Sequence, residues 1–195
     1  MNLLIFSLCL TAYYVLHSIL ANNRVKEKLY ILLPIRYYRL FFNFLSIGLL
    51  AGLLVTFKKL PSTMLFDAHP LVGLILMGLG GLLLYLAIRN YNLGEFSGIH
   101  QFNHNGAIPE HSLNQKGLNG IVRHPLYTAT FLLLWGFFLY YPTLKTLCLS
   151  GISSLYLIIG TRLEEQKLVL VFGEEYLDYQ RRVGRFLPKK INIPF

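Results

Sequence analysis

Residues 123–165 read RHPLYTATFLLLWGFFLYYPTLKTLCLSGISSLYLIIGTRLEE, and this stretch decides the fold. Two apolar runs, Leu126–Tyr141 and Thr143–Gly160, are separated only by Pro142. Pro125 suits the first position of a helix, because its missing N–H and fixed φ cost nothing there. The pattern therefore predicts two helices joined by a very tight turn, with polar residues at both open ends of the hairpin.

Before the hairpin, three further apolar runs have nearly the length of about 20 residues that a helix needs to cross a bilayer. They are Leu3–Leu20, Leu40–Phe57 and Leu71–Ile88. Only 14% of the 195 residues are charged, against about 25% in soluble domains, which argues against a soluble enzyme. We expect an all-α integral membrane protein with about five transmembrane helices and a cytosolic amphipathic tail helix. An alternative with four spans would merge or demote the hairpin pair.

Glycines within the apolar runs suggest where helices approach each other closely. We expect contacts at Gly48 and Gly52 in the second run, and at Gly78, Gly80 and Gly81 in the third. In the tail, Phe172, Tyr176 and Tyr179 are expected to pack the last helix against the membrane surface. We take residues 1–195 as one membrane-embedded domain, with two spans in 1–70 and a core with the cofactor site in 71–195.

The distribution of positive charge predicts the orientation. With five spans and the N-terminus outside, fifteen of the 18 lysines and arginines lie on the inner side and three on the outer side. Cytoplasmic loops collect such residues, so we expect the C-terminus in the cytosol, at the plasma (inner) membrane of a cell. The net charge of +9 then needs no nucleic-acid partner. No ionic residue lies at mid-depth in a span, which disfavours a transporter.

Two polar clusters lie at the open ends of the hairpin. Span lengths of about 24 and 27 Å return Arg123 and His124 to the same surface as Glu164 and Glu165. A helix N-terminus with Arg123 and His124 favours an anion, whereas the glutamates favour an ammonium or sulfonium and Tyr127 a heterocycle or a ribose hydroxyl. S-adenosylmethionine has each of these parts. The alternative is that Arg123 pairs with a glutamate only to anchor the hairpin. Two isolated cysteines give no metal pattern.

The order of motifs in the C-terminal half resembles the isoprenylcysteine carboxyl methyltransferase and phospholipid methyltransferase superfamily. The motifs are Arg123-His124-Pro125-Leu126-Tyr127, Arg162-x-Glu164-Glu165-x-x-Leu168, Phe172-Gly173-x-Glu175-Tyr176-x-x-Tyr179 and Arg185-Phe186-Leu187-Pro188. The N-terminal half, with His17-Ser18, Tyr38-Arg39-Leu40 and residues 96–101, resembles the NnrU and methanethiol S-methyltransferase branch. This resemblance implies a membrane enzyme that binds S-adenosylmethionine at the cytosolic side, with an acceptor that arrives from the bilayer or through a tunnel between helices.

Carried over by position, the resemblance assigns cofactor binding and catalysis to the hairpin ends. Arg162 and Glu165 would be catalytic, and the cofactor would contact a set made up of Arg123, His124, Pro125, Leu126, Tyr127, Glu164 and Glu165. The expected reaction is methyl transfer to a thiol or carboxyl of a small or lipophilic acceptor, with a small thiol favoured. The alternative is a non-catalytic NnrU-like accessory protein, because Asn119-Gly120 replaces an aromatic residue usual in the family. Residues 94–116 are expected to form a polar lid.

Overall fold

The computed structural model describes residues 2–67, 69–89, 91–106 and 112–189, and within these ranges the chain is helical without β-strands. The helices, in chain order, are α1 Leu3–Ala21, α2 Asn23–Leu29, α3 Ile35–Lys58, α4 Pro70–Ile88, α5 Leu93–Ser97, α6 Ile99–Asn103, α7 Pro125–Tyr140, α8 Leu144–Phe172 and α9 Glu174–Arg182. A 3-10 turn covers Gly117–Gly120. The expected all-α integral membrane protein is confirmed.

Each of the five apolar runs forms a helix. Four of these, α1, α3, α4 and α8, are long and apolar enough to cross a membrane. The fifth, α7, has 16 residues, which is just under the usual lower limit of about 17 for a spanning helix. The choice between five and four spans therefore stays a prediction.

Two helices extend beyond their apolar runs. Helix α3 begins at Ile35, directly after Pro34, although its apolar run starts at Leu40. Helix α8 continues past Gly160 to Phe172, because the polar segment that follows consists largely of good helix formers such as Leu, Glu, Gln and Lys. The next residue is Gly173, whose φ of +55° lies in the positive-φ region that favours glycine and ends the helix.

The chain divides into two compact units. The first contains α1–α3, α5, α6 and the first turns of α8. Within it, His17 Nδ1 on α1 lies 3.1 Å from Ser46 Oγ on α3. The ammonium of Lys145, at the start of α8, donates to Leu60 O at 3.0 Å, just after the end of α3. Polar contacts therefore join α3 to α1 on one side and the end of α3 to the start of α8 on the other.

The second unit contains α4, α7, the rest of α8 and α9. Helices α4 and α7 pack closely because two glycines face each other: a Cβ at Gly73 would lie 2.7 Å from Gly136 O. The predicted contact at Gly80 is confirmed, since a Cβ there would lie 3.0 Å from Ala129 O.

The expected contacts at the other glycines are wrong. No described atom lies within 4 Å of the Cβ position that a residue would have at Gly48, Gly52, Gly78 or Gly81. The sequence pattern identified glycines in apolar helices but not the helix faces that meet, since the glycines on exposed and on packed faces look alike in sequence.

Candidate functional site

The start of α7 is joined to a segment that returns after α9, and we call Val183–Leu187 the return segment. The backbone N–H of Arg123 donates to Gly184 O at 2.8 Å, and that of His124 donates to Arg185 O at 3.1 Å. An isolated parallel bridge joins Val122 and Gly184. These contacts fix the backbone that carries the Arg123-His124 pair, and they bring Arg185 to the same place.

Glu165 lies at the centre of the site and is 3% exposed. Its Oε1 accepts from Arg123 through Nε at 2.8 Å and Nη2 at 2.7 Å, and it lies 3.1 Å from His124 Nε2. The hairpin therefore brings the arginine-histidine corner of α7 against the second glutamate of α8, as the spacing predicted. Arg123 pairs with Glu165, and the hypothesis that this pair only anchors the hairpin stays an alternative.

The other oxygen of Glu165 binds residues that the sequence analysis did not assign to the site. Oε2 accepts from Arg185 Nε at 3.1 Å and from Gln180 Nε2 at 3.3 Å. Arg185 belongs to the Arg185-Phe186-Leu187-Pro188 motif, which was the available signal, whereas nothing in the sequence singled out Gln180. We call Glu165, Arg123, His124, Arg185 and Gln180 the Glu165 cluster.

The Glu165 cluster is saturated with hydrogen bonds. A buried carboxylate is stable only when charges and donors compensate its lost hydration, and two guanidiniums, an imidazole and an amide do so here. Arg123 also donates through Nη1 to the backbone oxygens of Gln180 and Val183. The cluster therefore ties α7, α8, α9 and the return segment together.

Glu164 differs from its neighbour, because its side chain is 47% exposed. Tyr127 donates its phenolic hydrogen to Glu164 Oε2 at 3.0 Å. The ring of Tyr127 stacks on that of His124 with centroids 5.5 Å apart, and His124 Nδ1 lies 4.0 Å from Glu164 Oε2. One face of the site thus presents an oriented, solvent-accessible carboxylate beside an aromatic ring.

The remaining predicted site residues differ in their placement. Pro125 is buried and begins α7, and Leu126 follows it in the first turn. Arg162 is exposed on α8, three residues before Glu165. Among the described residues, no hydrogen bond or ion pair joins the Arg162 guanidinium to the Glu165 cluster. The catalytic assignment of Arg162 therefore stays a prediction.

An apolar cavity of about 270 Å³ lies in the same unit, between α4, α7 and the return segment. Its walls include Leu76, Thr128, Trp135 and Phe186. It borders the polar site, because Phe186 contacts the His124 ring at a centroid distance of 6.1 Å. The hydroxyl of Thr128 donates to backbone oxygens rather than to the cavity, with Phe186 O at 3.1 Å. The cavity surface is therefore hydrophobic.

Helix α9 is amphipathic, as predicted, but its aromatic face does not pack on a membrane surface. Tyr176 and Tyr179 are buried against Leu168 and Phe172 at the end of α8. Burial raises the pKa of Tyr176. The expectation of membrane packing was wrong because the 12-residue extension of α8 beyond Gly160 supplies a protein surface for this face.

The segment that precedes Arg123 contains the 3-10 turn Gly117–Gly120, and a hydrogen bond joins this turn to α9. Tyr179 donates to Asn119 O at 2.5 Å, and Asn119 Nδ2 donates to Asn114 O at 3.1 Å. The Asn119-Gly120 departure from the family pattern thus occupies a 3-10 turn with its own polar contacts. Within the described parts of the chain, no group of three or more His, Cys, Asp or Glu is placed to hold a metal ion.

The fold and this site define an α-helical membrane protein in which a buried cluster of charged side chains connects the two helices of a hairpin at its open end. The model of the phospholipid methyltransferase family matches residues 68–175, which cover α4 to the start of α9 and therefore most of the site. The chain belongs to this family, and the expected superfamily is confirmed.

Individual relatives of the chain have names that specify a substrate. A methanethiol S-methyltransferase of Pseudomonas deceptionensis is 43% identical over 70 residues, which are 35% of this chain and 25% of that protein. Methanethiol S-methyltransferase 1 of Bradyrhizobium diazoefficiens is 28% identical over 208 positions, covering 98% of this chain and 67% of that protein. Methanethiol S-methyltransferase 2 of the same organism is 26% identical, covering 96% and 72%. The match to the first relative thus spans about a quarter of its length. No solved structure matches the chain.

Proposed function

We propose that this protein is an integral-membrane, S-adenosylmethionine-dependent methyltransferase whose acceptor is a small apolar thiol. Family membership and the relatives named for methanethiol S-methylation support the reaction class. The observation that carries the proposal is the pair of adjacent glutamates at the open end of the hairpin. Glu165 is buried in the Glu165 cluster, whereas Glu164 is exposed beside the ring of Tyr127.

The residues around Glu164 fit a cationic nucleoside donor. Bound S-adenosylmethionine would supply a methyl group on a positively charged sulfur, which is transferred in one displacement. The exposed carboxylate of Glu164 can bind an ammonium or sulfonium, and Tyr127 holds that carboxylate in place through its hydroxyl. The first turn of α7 begins at Pro125, which has no N–H, and no preceding turn of a helix offers carbonyl oxygens to the backbone N–H groups of Leu126 and Tyr127, which favours an anion such as a carboxylate. Arg162 is proposed to act nearby from the exposed face of α8.

Glu165 is proposed to be a positioning residue rather than a group that touches the cofactor. Both of its oxygens accept hydrogen bonds from the protein, and its side chain is buried. Its charge fixes Arg123 and His124 at the start of α7, so that the orientation of the Tyr127 ring is set through its stacking on His124. Positioning of this kind matters because methyl transfer depends mainly on alignment of acceptor and donor.

The acceptor is proposed to enter the apolar cavity beside Phe186. The residues that line this cavity carry no charge, so a carboxylate would lose its hydration there without a partner. A small thiol with a methyl or other short apolar group would lose little hydration free energy on entering the cavity. The cavity therefore favours a thiol over a carboxyl acceptor, in agreement with the names of the relatives.

The proposed location is the plasma (inner) membrane, with the N-terminus outside and the site at the cytosolic face. The distribution of lysine and arginine supports this orientation. The start of α7 and the C-terminal part of α8 both lie at the Glu165 cluster, so the site is on the side of the membrane where the hairpin opens. An S-adenosylmethionine site on this side would face the compartment that supplies the nucleoside.

The test uses purified full chain with S-adenosylmethionine labelled in its methyl group and methanethiol as acceptor. The label is then partitioned among volatile sulfide, extracted lipid and protein. We expect labelled dimethyl sulfide as the main product. Label only in lipid or protein would contradict the thiol assignment, and no transfer from protein that is folded would favour the accessory-protein alternative.

A matched pair of variants tests the acceptor cavity. Leu76→Phe narrows the cavity from α4 and should raise the KM for methanethiol several-fold, with little change in the KM for the methyl donor. Leu79→Phe adds the same volume on the same helix, at an exposed position outside the residues lining the cavity, and should leave both constants unchanged. Equal effects of the two changes would exclude this cavity as the acceptor site.

A further inference from the structure

The connection between α1 and α3 carries two exposed apolar side chains at its turn. Helix α2 ends at Leu29, and a turn follows before α3 begins at Ile35. We call residues 30–34 the α2–α3 tip. Within it, Ile31 is 87% exposed and Leu32 is 82% exposed. Two adjacent large apolar side chains therefore project from the turn, and the methyltransferase proposal uses neither of them.

The backbone of the α2–α3 tip is closed by its own hydrogen bonds. The N–H groups of Leu32 and Leu33 both donate to Leu29 O, at 3.0 and 2.9 Å, and the N–H of Tyr37 donates to Pro34 O at 2.9 Å. Unpaired backbone polar groups are what makes an apolar environment unfavourable for a loop. A turn with internal hydrogen bonds can therefore enter such an environment at a lower cost.

The neighbouring helix α6 covers the start of α3 but leaves the tip exposed. Gly106, with φ of +89°, packs directly on Ile35, so that a Cβ would meet Cγ2 of that residue. The ring of Phe102 contacts that of Tyr37, with centroids 5.7 Å apart. The protein surface that packs on α3 thus begins just after the tip.

The same packing accounts for part of the expected polar lid at 94–116. Asn43 on α3 donates from Nδ2 to Phe96 O at 3.0 Å, which fixes α5 on α3. Residues 94–106 therefore pack on α3 within this unit, while 107–111 lie outside the described residues. A lid role for these residues stays a prediction.

The α2–α3 tip lies close to the ends of two helices that can cross a membrane. Helix α1 ends at Ala21 and α3 begins at Ile35, and both are long and apolar enough to span. Tyr30 in the tip packs edge-to-face on Tyr38 with centroids 5.3 Å apart, and the Tyr38 hydroxyl donates to Leu20 O at 2.8 Å. Tyrosines are enriched at membrane interfaces. These contacts indicate that the tip lies at a membrane surface.

The exposed face of α2 is positively charged. Arg24 and Lys28 are both exposed and lie four residues apart, so their side chains share one face of the helix. Neither forms an ion pair with a described residue. Glu27, the acidic residue of α2, offsets one of its three positive charges. Like charges at this spacing repel each other, and an anionic surface would reduce that repulsion.

We propose that the α2–α3 tip inserts Ile31 and Leu32 at the boundary between headgroups and acyl chains of an anionic membrane, with Arg24 and Lys28 against lipid phosphates. Burial of two large apolar side chains is favourable, and basic residues near a membrane surface attract anionic lipids. An apolar surface beside a basic helix face is typical of segments that lie in a membrane interface. This surface and its lipid partner do not depend on the methyltransferase proposal.

The experiment places the full chain in bilayers of phosphatidylglycerol with brominated acyl chains and measures quenching of an introduced tryptophan. Leu32→Trp reports on the tip, Phe44→Trp on a position of α3 that is 83% exposed, and Glu174→Trp on a position of α9 whose side chain is 80% exposed. Trp135, the one native tryptophan, gives the same background in each variant. We expect quenching of Leu32→Trp to reach about half that of Phe44→Trp or more, because interfacial segments reach the headgroup–acyl boundary, and Glu174→Trp to lose little fluorescence.

The emission of Leu32→Trp distinguishes the other possible surroundings of the tip. A tip in water would stay unquenched and emit at long wavelength. A tip covered by a second copy of the chain would stay unquenched and emit at short wavelength. Either result would overturn the proposal. Ile31→Trp repeats the measurement at the adjacent position, so that a local disturbance of the turn by one substitution does not decide the outcome.

A second arm of the experiment tests the preference for anionic lipid. Brominated phosphatidylglycerol or brominated phosphatidylcholine is added at the same low mole fraction to an unlabelled mixture of the two lipids. We expect the anionic lipid to quench Leu32→Trp at least about twofold more strongly, because basic residues concentrate it at the tip. Equal quenching by the two lipids would overturn the assignment of an anionic partner.

Two double variants locate the charges responsible. Arg24→Gln with Lys28→Gln should abolish the preference for phosphatidylglycerol at Leu32→Trp. Lys58→Gln with Lys59→Gln removes the same number of charges from the other end of α3 and should keep the preference. Equal losses in the two double variants would show a general effect of net charge and overturn the proposed contacts of α2.

Discussion

The Glu165 cluster and the Gln101 side chain on α6 both place polar groups in the interior of the protein, but their hydrogen bonds differ. Every oxygen of the Glu165 carboxylate accepts from protein donors, whereas the Gln101 carbonyl accepts from none that the structure describes. The first arrangement stabilises the folded chain by itself. The second leaves a buried amide oxygen without a compensating hydrogen bond, which is unfavourable for folding. The comparison separates buried polar groups that stabilise the folded chain from one that does not.

Two neighbouring residues within the candidate active site also differ in their surroundings. The side chain of Glu165 is buried and that of Glu164 is exposed, although the two residues are adjacent on α8. Because successive helical residues lie about 100° apart, only one of them can face the α7 corner and the return segment. The other faces the solvent-accessible side, where a cofactor can reach it. The two glutamates therefore have different predicted effects when changed.

The largest expected effect is on stability and comes from Glu165→Ala. This change leaves Arg123 and His124 buried without their carboxylate, and loss of one partner of a buried ion pair costs about 3–5 kcal/mol. The variant should unfold at a much lower temperature in detergent, or fail to accumulate as folded protein. Thermal denaturation of the purified chain measures this.

The control for this change is Glu174→Ala. The Glu174 side chain is 80% exposed and lies 3.7 Å from Arg181, and exposed ion pairs contribute about 0–1 kcal/mol. We expect its melting temperature to stay near that of the unaltered chain. If Glu165→Ala were as stable as Glu174→Ala, the cluster would not hold the helices together and the comparison above would fail.

An intermediate effect is expected at α9 from Tyr179→Phe. This change removes the hydrogen bond from the phenol to Asn119 O, and the loss of such a bond costs about 0.5–1.5 kcal/mol. The matched control is Tyr176→Phe, because the buried Tyr176 hydroxyl makes no hydrogen bond of 3.5 Å or less to a described residue, so that its interaction with the Arg123 guanidinium is weaker than the bond that Tyr179 makes. Chemical denaturation should show Tyr179→Phe less stable than Tyr176→Phe; the reverse order would refute the assigned contacts.

The smallest effect is expected at α6, from Gln101→Leu in detergent. Replacing an unsatisfied buried amide with an apolar group of similar size removes a desolvation penalty, so stability should be unchanged or rise by up to about 1 kcal/mol. Thermal unfolding without added lipid provides the measurement. A clear loss of stability would mean that the Gln101 amide already has a hydrogen-bond partner in the protein, and the comparison with Glu165 would then fail.

Much of the architecture could be predicted from local sequence. The five apolar runs became α1, α3, α4, α7 and α8, of which all but α7 are long enough to cross a membrane, since an apolar segment in a bilayer must satisfy its backbone hydrogen bonds internally. The hairpin turn at Pro142 also brought the arginine-histidine corner to the glutamates. These features depend on hydropathy and on short spacings, which a single sequence contains.

The rest depends on tertiary contacts that leave no periodic pattern. Arg185 and Gln180 reach Glu165 because α9 reverses the chain after Gly173 and because the return segment pairs with the start of α7. The sequence shows the Arg185 motif but not its partner. The extension of α8 was missed for a related reason, because hydropathy ends at Gly160 while helix propensity continues to Phe172.

The most direct test of the account is the affinity for S-adenosylmethionine, measured by calorimetry on the detergent-solubilised chain with Glu164→Gln and Glu174→Gln as a matched pair. Each change removes one exposed negative charge and keeps the side-chain shape. We predict that Glu164→Gln weakens binding at least tenfold at an unchanged melting temperature, while Glu174→Gln binds as the unaltered chain does. Unchanged affinity in Glu164→Gln, or no binding by the unaltered chain, would contradict the account.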